Sequence, residues 1–132
     1  MIKRIFIVVA LLIAGTAIAE AQNLKISQFD FARSIDQENR QPANVDTVFS
    51  KNVGTVYCFT KIKGIQDTTQ IAHVWYYKDQ EKARIELDVK SPEWRTWSSK
   101  KIVESWTGNW RVMVEDPEGN VIETKTFVIG DE

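Results

Sequence analysis

The sequence predicts an all-β protein: an antiparallel, immunoglobulin-like β-sandwich of about seven strands, preceded by a signal peptide. Three observations lead there. Short stretches rich in β-branched and aromatic residues recur along the chain, with Gly, Pro, Asn or Asp between them. One stretch alternates without a fault, Ala83, Ile85, Leu87 and Val89 against Arg84, Glu86, Asp88 and Lys90. Beyond the N-terminal leader no convincing helical period of apolar residues is present.

The leader comes first. Lys3-Arg4 precedes an uncharged run from Ile5 to Ala19, which ends in Ala19-Glu20-Ala21. A positive start, an apolar centre and small residues at the recognition positions make a secretory signal peptide. A spanning helix needs about 20 apolar residues, and this run is shorter. Cleavage is expected after Ala21, leaving a single β-sandwich domain over residues 22–132 in the periplasm or outside the cell, with no membrane span after signal removal.

The strands follow in order. Leu24 to Ile35 alternates imperfectly and predicts a first strand with a bulge near Ser27-Gln28. Asp36 to Asn44 is polar, contains Pro42, and reads as a loop; Val45 to Lys51 reads as a short turn or helix. Val53 to Ile62 is a strand closed by the turn Lys63-Gly64, and Ile71 to Lys78 is another. The alternating strand Ala83 to Val89 ends before Pro92, which cannot donate to a ladder. Trp94 to Ile102 gives the next strand. Asn109 to Glu115 and Val121 to Ile129 pair as a hairpin through Asp116-Pro117-Glu118-Gly119, where Asp opens a type I turn, Pro pre-sets its second position, and Gly takes the left-handed one.

Composition narrows function. The chain has 132 residues with 17 Lys+Arg against 18 Asp+Glu, and losing Lys3, Arg4 and Glu20 leaves 15 basic against 17 acidic. That balance offers no basic field for a phosphate backbone, so no nucleic acid is expected as a partner. One Cys forbids an intrachain disulfide, and one His excludes multi-His zinc sites. No metal and no cofactor is expected. Gly-x-Ser-x-Gly, Cys-x-x-Cys, His-Glu-x-x-His and Gly-rich phosphate loops are all missing from the sequence, so no catalytic residues are assigned. Cys58, between Tyr57 and Phe59, reads as a small packed hydrophobe, because apolar burial raises a thiol's pKa rather than activating it.

Four motifs stand in order along the domain: Tyr57-Cys58-Phe59-Thr60, His73-Val74-Trp75-Tyr76-Tyr77, Trp94-Arg95-Thr96-Trp97-Ser98-Ser99-Lys100, and Trp106-Thr107-Gly108-Asn109-Trp110-Arg111-Val112. Together they resemble a bacterial domain of unknown function, family 2914, from about Val53 to Ile129. The resemblance implies an exported or envelope-associated β module. It implies no activity, cofactor or catalytic residue.

The candidate ligand-binding residues are His73, Trp75 and Tyr77 on one strand with Arg95 and Trp97 on another. Spacing by two puts each row on one face. If both rows share an exposed face, aromatic platforms beside an Arg fork and a His suit a sugar ring, a peptide or an anion. The structural alternative ranks ahead of it: sandwiches of this type bury a Trp on the third strand, and Trp75 follows Cys58 at a suitable distance. Arg95 would then brace a carboxylate such as Glu86 or Asp88. The strands around Tyr57 and Trp75 are apolar on both faces, so the second face must meet a covering loop, another subunit or a ligand, and at least two aromatics are expected in an exposed patch. The expected function is an exported non-catalytic binding or structural module of the cell envelope, a monomer or weak homodimer with a protein or glycan partner. The alternative is a carbohydrate-binding module using Trp75, Trp97 and Trp94, with a small envelope enzyme third.

Overall fold

Period-two patterning resolves into two sheets in the computed structural model, which describes residues 23–131. The predicted signal peptide and its cleavage point lie outside the described residues. The strands are β1 (Lys25–Asp36), β2 (Gln41–Val45), β3 (Val48–Ser50), β4 (Thr55–Lys63), β5 (Thr69–Tyr77), β6 (Gln80–Val89), β7 (Glu93–Lys101), β8 (Gly108–Glu115) and β9 (Val121–Gly130). One sheet has the order β2-β1-β4-β7 and the other β3-β9-β8-β5-β6. The described fold is all-β.

Among the described residues nine strands replace the expected seven, and both additions lie where the sequence read as loop or helix. Gln41–Val45 is a strand despite Pro42, because β2 is an edge strand and Pro42 sits opposite Ile35 where its missing N–H is no loss. Val48–Ser50 is a strand because the chain switches sheets at Asp46-Thr47 and meets β9 running in the same direction. That β3–β9 pair is parallel, so the sheets are not wholly antiparallel.

Other elements match their local chemistry. The β1–β4 register slips between Ile26 and Gln28, at the expected bulge. In the β8–β9 turn, the Asp116 carboxylate accepts the backbone N–H groups of Glu118 and Asn120 at 3.0 and 2.8 Å, and Gly119 has φ +87°. The β5–β6 turn is tight without any glycine: Lys78 and Asp79 both take positive φ, the geometry a two-residue hairpin loop requires.

The core lies between the sheets. Phe31, Val56, Cys58 and Ile62 from one face meet Trp75, Trp110, Val112, Val114, Phe127 and Ile129 from the other. Aromatic contacts join them, with Phe31 and Phe127 rings 4.5 Å apart and Trp75 edge-on to Phe127 at 6.1 Å. Four Phe and two Trp side chains are buried here without a disulfide, Cys58 being a buried free thiol.

The outer faces explain the doubly apolar strands. On β5, Ala72, Val74 and Tyr76 point away from the core, and charged side chains cover them. Arg84 and Glu115, cross-strand neighbours of Val74 and Ala72, pair at 2.9 Å, and the Arg111 guanidinium lies 4.3 Å over the Tyr76 ring. On β4, Phe59 faces outward yet is buried, stacked on Trp97 at 5.9 Å. Its cover is the β1–β2 hairpin, which bends back across the sheet so that Gln41 meets Gln28 at 3.4 Å and Arg40 reaches β7.

Candidate functional site

The five residues singled out from sequence fall on two different surfaces. His73 and Trp75 point from β5 into the space between the sheets and are fully buried. Tyr77 continues their row to the end of the sandwich, half-buried against Trp106 and Trp110, its hydroxyl donating to the Thr107 carbonyl at 2.7 Å. Arg95 and Trp97 lie on the outer face of the opposite sheet, in line with Lys61 and Phe59. The rows therefore do not converge on one exposed face.

His73 closes a hydrogen-bond chain across the core. Trp75 Nε1–H donates to Ser98 Oγ at 3.1 Å, and Ser98 Oγ lies 2.7 Å from His73 Nδ1. On its other side His73 Nε2 lies 3.0 Å from Thr60 Oγ1, whose hydroxyl donates to the Thr96 carbonyl at 3.4 Å. One tautomer uses each hydrogen once: Trp75 N–H to Ser98, Ser98 O–H to Nδ1, Nε2–H to Thr60, Thr60 O–H to Thr96. The other tautomer leaves the Ser98 hydrogen without an acceptor. The imidazole is thus neutral with its proton on Nε2, and burial pulls its pKa down to about 3. Both ring nitrogens are committed to tying β5 to β4 and β7. Cys58 shares the core, where desolvation pushes its thiol well above the ordinary value.

Arg95 and Trp97 belong to an open cleft of about 440 Å³, lined by Gln37, Arg40, Asp88, Lys90, Trp94, Arg95, Thr96 and Trp97. Three parts build it. The free edge of β7 supplies Trp94 and Trp97, which alternate to opposite faces of the strand but both reach its uncovered side. The end of β6 and the Ser91-Pro92 corner bring Asp88 and Lys90. The tip of the β1–β2 hairpin brings Gln37 and Arg40, shaped by Asp36, whose carboxylate accepts from the Asn39 side chain at 2.8 Å and from the Glu38 N–H at 3.1 Å. Those bonds, the Asn39 side chain first, hold Asp36 below its usual carboxylate range.

Arg40 is the link between hairpin and cleft. It donates to the Arg95 carbonyl at 3.0 Å and lies 5.5 Å over the Trp97 ring. Arg95 does not brace Glu86 or Asp88 as the sequence suggested. Asp88 takes a hydrogen bond from Gln70 at 3.0 Å and faces Lys90 at 4.0 Å, while Glu93 pairs with Lys61 at 3.1 Å and Lys63 at 3.4 Å, which hold its carboxyl below the usual range. The Arg95 Nε is shielded from solvent and has no hydrogen-bond partner among the described residues. Sequence reasoning missed Arg40, Gln37 and Lys90. The available signal was Phe59, an outward aromatic on a strand whose inner face was already apolar.

The other half-buried aromatics do not enlarge this cleft. Trp106 sits at the Tyr77 end with Lys82 and Lys100 at 5.1 and 5.4 Å over its ring, and Trp110 is core. Among the described residues no three of His, Cys, Asp and Glu come together as a metal site, and no helix is long and apolar enough to cross a membrane.

A search of curated proteins returns no match. Among solved structures, the β-glucosidase of Listeria innocua in complex with glucose gives a TM-score of 0.46 at 13% identity, over 83% of this chain and 16% of that one. The β-glucosidase of Kluyveromyces marxianus gives 0.48 at 10% identity over 83% and 14%, and the GH3 β-glucosidase of Bifidobacterium adolescentis 0.47 at 8% over 84% and 17%. The chain thus spans about a sixth of the length of these enzymes. A family model described as "Protein of unknown function (DUF2914)" matches residues 68–129, which takes in β5 to β9 and leaves the Tyr57-Cys58-Phe59-Thr60 motif outside the matched region. That match covers just under half of the chain, and it is to the same family that the aromatic motifs resemble.

Proposed function

We propose that this protein is an exported, non-catalytic binding module of the bacterial cell envelope, and that it holds its ligand in the cleft along the free edge of β7. The observation that carries the reading is the grouping of Arg95 and Trp97 with Arg40 and Trp94 in that cleft, two guanidinium side chains beside two indoles. The reading excludes a nucleophile–base role for Cys58 and His73: the thiol is buried with a raised pKa, and both imidazole nitrogens are engaged. Export rests on the Lys3-Arg4, Ile5–Ala19 and Ala19-Glu20-Ala21 pattern.

An immunoglobulin-like assignment is part of the same reading. Supporting it, β1, β4 and β7 lie side by side opposite β9, β8 and β5, the arrangement of strands A, B, E against G, F, C, with β6 added beside C. Trp75 on the third of these strands is the buried Trp of that pattern.

The test is a screen of neutral polysaccharides, acidic polysaccharides and acidic peptides against residues 22–132, followed by intrinsic Trp fluorescence, with Arg95→Gln and Trp97→Phe in parallel. At least one polymer shifts the wild-type emission, the two variants reduce its affinity, and no bond in it is cleaved. Cleavage of the bound polymer, a shift indifferent to both variants, or no shift with any polymer would each overturn the reading.

A further inference from the structure

Resting on that reading, we infer that the ligand of the β7 cleft is an acidic polysaccharide, a chain of sugar rings that carry carboxylates. Charge comes first. Arg84 and Arg111 meet Glu115 and Asp79 at 2.9 Å, but among the described residues Arg40 and Arg95 have no carboxylate at ion-pair distance, and the neighbouring acids Asp88 and Glu93 are engaged by Gln70, Lys90, Lys61 and Lys63. The cleft therefore presents two guanidiniums in want of an anion, and a guanidinium fork fits a carboxylate through two parallel N–H donors. Arg40 is already held in place by the Arg95 carbonyl and the Trp97 ring, so little of its freedom is left to lose on binding.

The aromatic lining selects sugar. Trp94 and Trp97 are half-buried, one from each face of β7; Trp97 stacks on Phe59 and lies under Arg40, Trp94 packs against the core, and what each leaves exposed is a strip of apolar surface for the C–H groups of a pyranose beside the charged groups. Shape selects a polymer: a second hollow of about 240 Å³, lined by Arg40, Ser91, Glu93, Trp94 and Arg95, shares three residues with the main cleft and extends it along the edge. An acidic peptide fits less well. A peptide that added itself as a strand to β7 would need the free backbone of that edge, and Arg40 occupies the Arg95 carbonyl.

The experiment titrates residues 22–132 with galacturonate and mannuronate oligomers, with fully methyl-esterified galacturonate oligomers, and with polyglutamate, reading Trp emission at low and moderate salt. Expected is binding of an acidic oligomer that falls about tenfold or more on methyl esterification and in Arg40→Gln and Arg95→Gln, and weakens as salt rises. Urea midpoints of both variants establish that they are folded; Arg40, on an exposed loop, serves as the second variant if Arg95→Gln does not fold. Equal binding of the ester overturns the carboxylate claim while leaving the binding-module reading intact. Polyglutamate binding as tight as the acidic sugars, and equally sensitive to Arg40 and Arg95, overturns the glycan claim. Failure of both acidic oligomers overturns the inference outright.

Discussion

Lowering the pH from 7 to 5 removes about 2 kcal/mol of folding stability, through His73 alone. In the folded protein its imidazole is neutral, between Ser98 and Thr60, with a pKa near 3; in the unfolded chain the value returns to about 6.5. A folded pKa below the unfolded one means that unfolding takes up a proton at any pH between the two. Stability is complete above about pH 6.5 and declines as pH falls towards 3, by about 1.4 kcal/mol per pH unit in the middle of that window. Integrated from pH 7 to 5 this gives about 2 kcal/mol, and to pH 3 about 4–5 kcal/mol. Asp36 and Glu93 have lowered pKa values and also favour the folded state above their titration, but carboxylates act mainly below pH 5. The interval between pH 7 and 5 therefore isolates His73. Urea unfolding followed by Trp fluorescence at half-unit pH steps measures it, with His73→Gln as the comparison. Wild type should lose stability with the stated slope, and the variant should be flat over the same interval whatever its stability at pH 7. A flat wild-type profile, or a sloping His73→Gln profile, would show that the neutral, fully bonded imidazole is wrong.

Three further outcomes follow from the same packing. Ser98→Ala strands both the Trp75 N–H and His73 Nδ1 and should destabilise by about 2–4 kcal/mol by urea unfolding, whereas neighbouring Ser99→Ala, at an exposed position, should change little. Gly64 has φ +90°, and a Cβ there would collide with the Asn23 carbonyl, so Gly64→Ala should lower stability by about 1–3 kcal/mol; an unchanged midpoint would contradict that geometry. Cys58 should resist iodoacetamide in the native protein and react fully in denaturant, since its thiol is both inaccessible and held protonated; rapid native labelling at pH 8 would place it elsewhere.

What the sequence could reveal depended on how local the cause was. The β8–β9 hairpin is dictated by Asp116 to Gly119, and the β1 bulge by a slip in alternation at Ser27-Gln28; both can be read without knowing the rest of the chain. β2 and β3 are different. Nothing in Gln41-Pro42-Ala43-Asn44 favours a strand, and Val48–Ser50 is too short to declare itself; pairing with β1 and β9 makes them strands. The candidate site divides the same way. Spacing grouped Arg95 with Trp97 correctly, because two-residue periodicity survives in any regular strand. It gave no information on which face of which sheet each row would occupy, so His73 and Trp75 were grouped with residues on the far side of the other sheet. Arg40 lies 55 residues from Arg95 along the chain, and only the bend of the hairpin over Phe59 brings it there. Arg84 and Arg111 were readable as surface charges; that their stems cover Val74 and Tyr76, and so remove the need for a partner on that face, required the register of β5 with β6 and β8.

The central claim assigns recognition to the β7 cleft and leaves the His73 and Trp75 row to the core. Indole N–H resonances of the five Trp residues, followed during titration with an acidic sugar oligomer, separate the two most directly. Trp94 and Trp97 should shift in a saturable way while Trp75 and Trp110 stay fixed. Shifts confined to Trp106, at the lysine-covered end, or no saturable shift of Trp94 and Trp97, would contradict it.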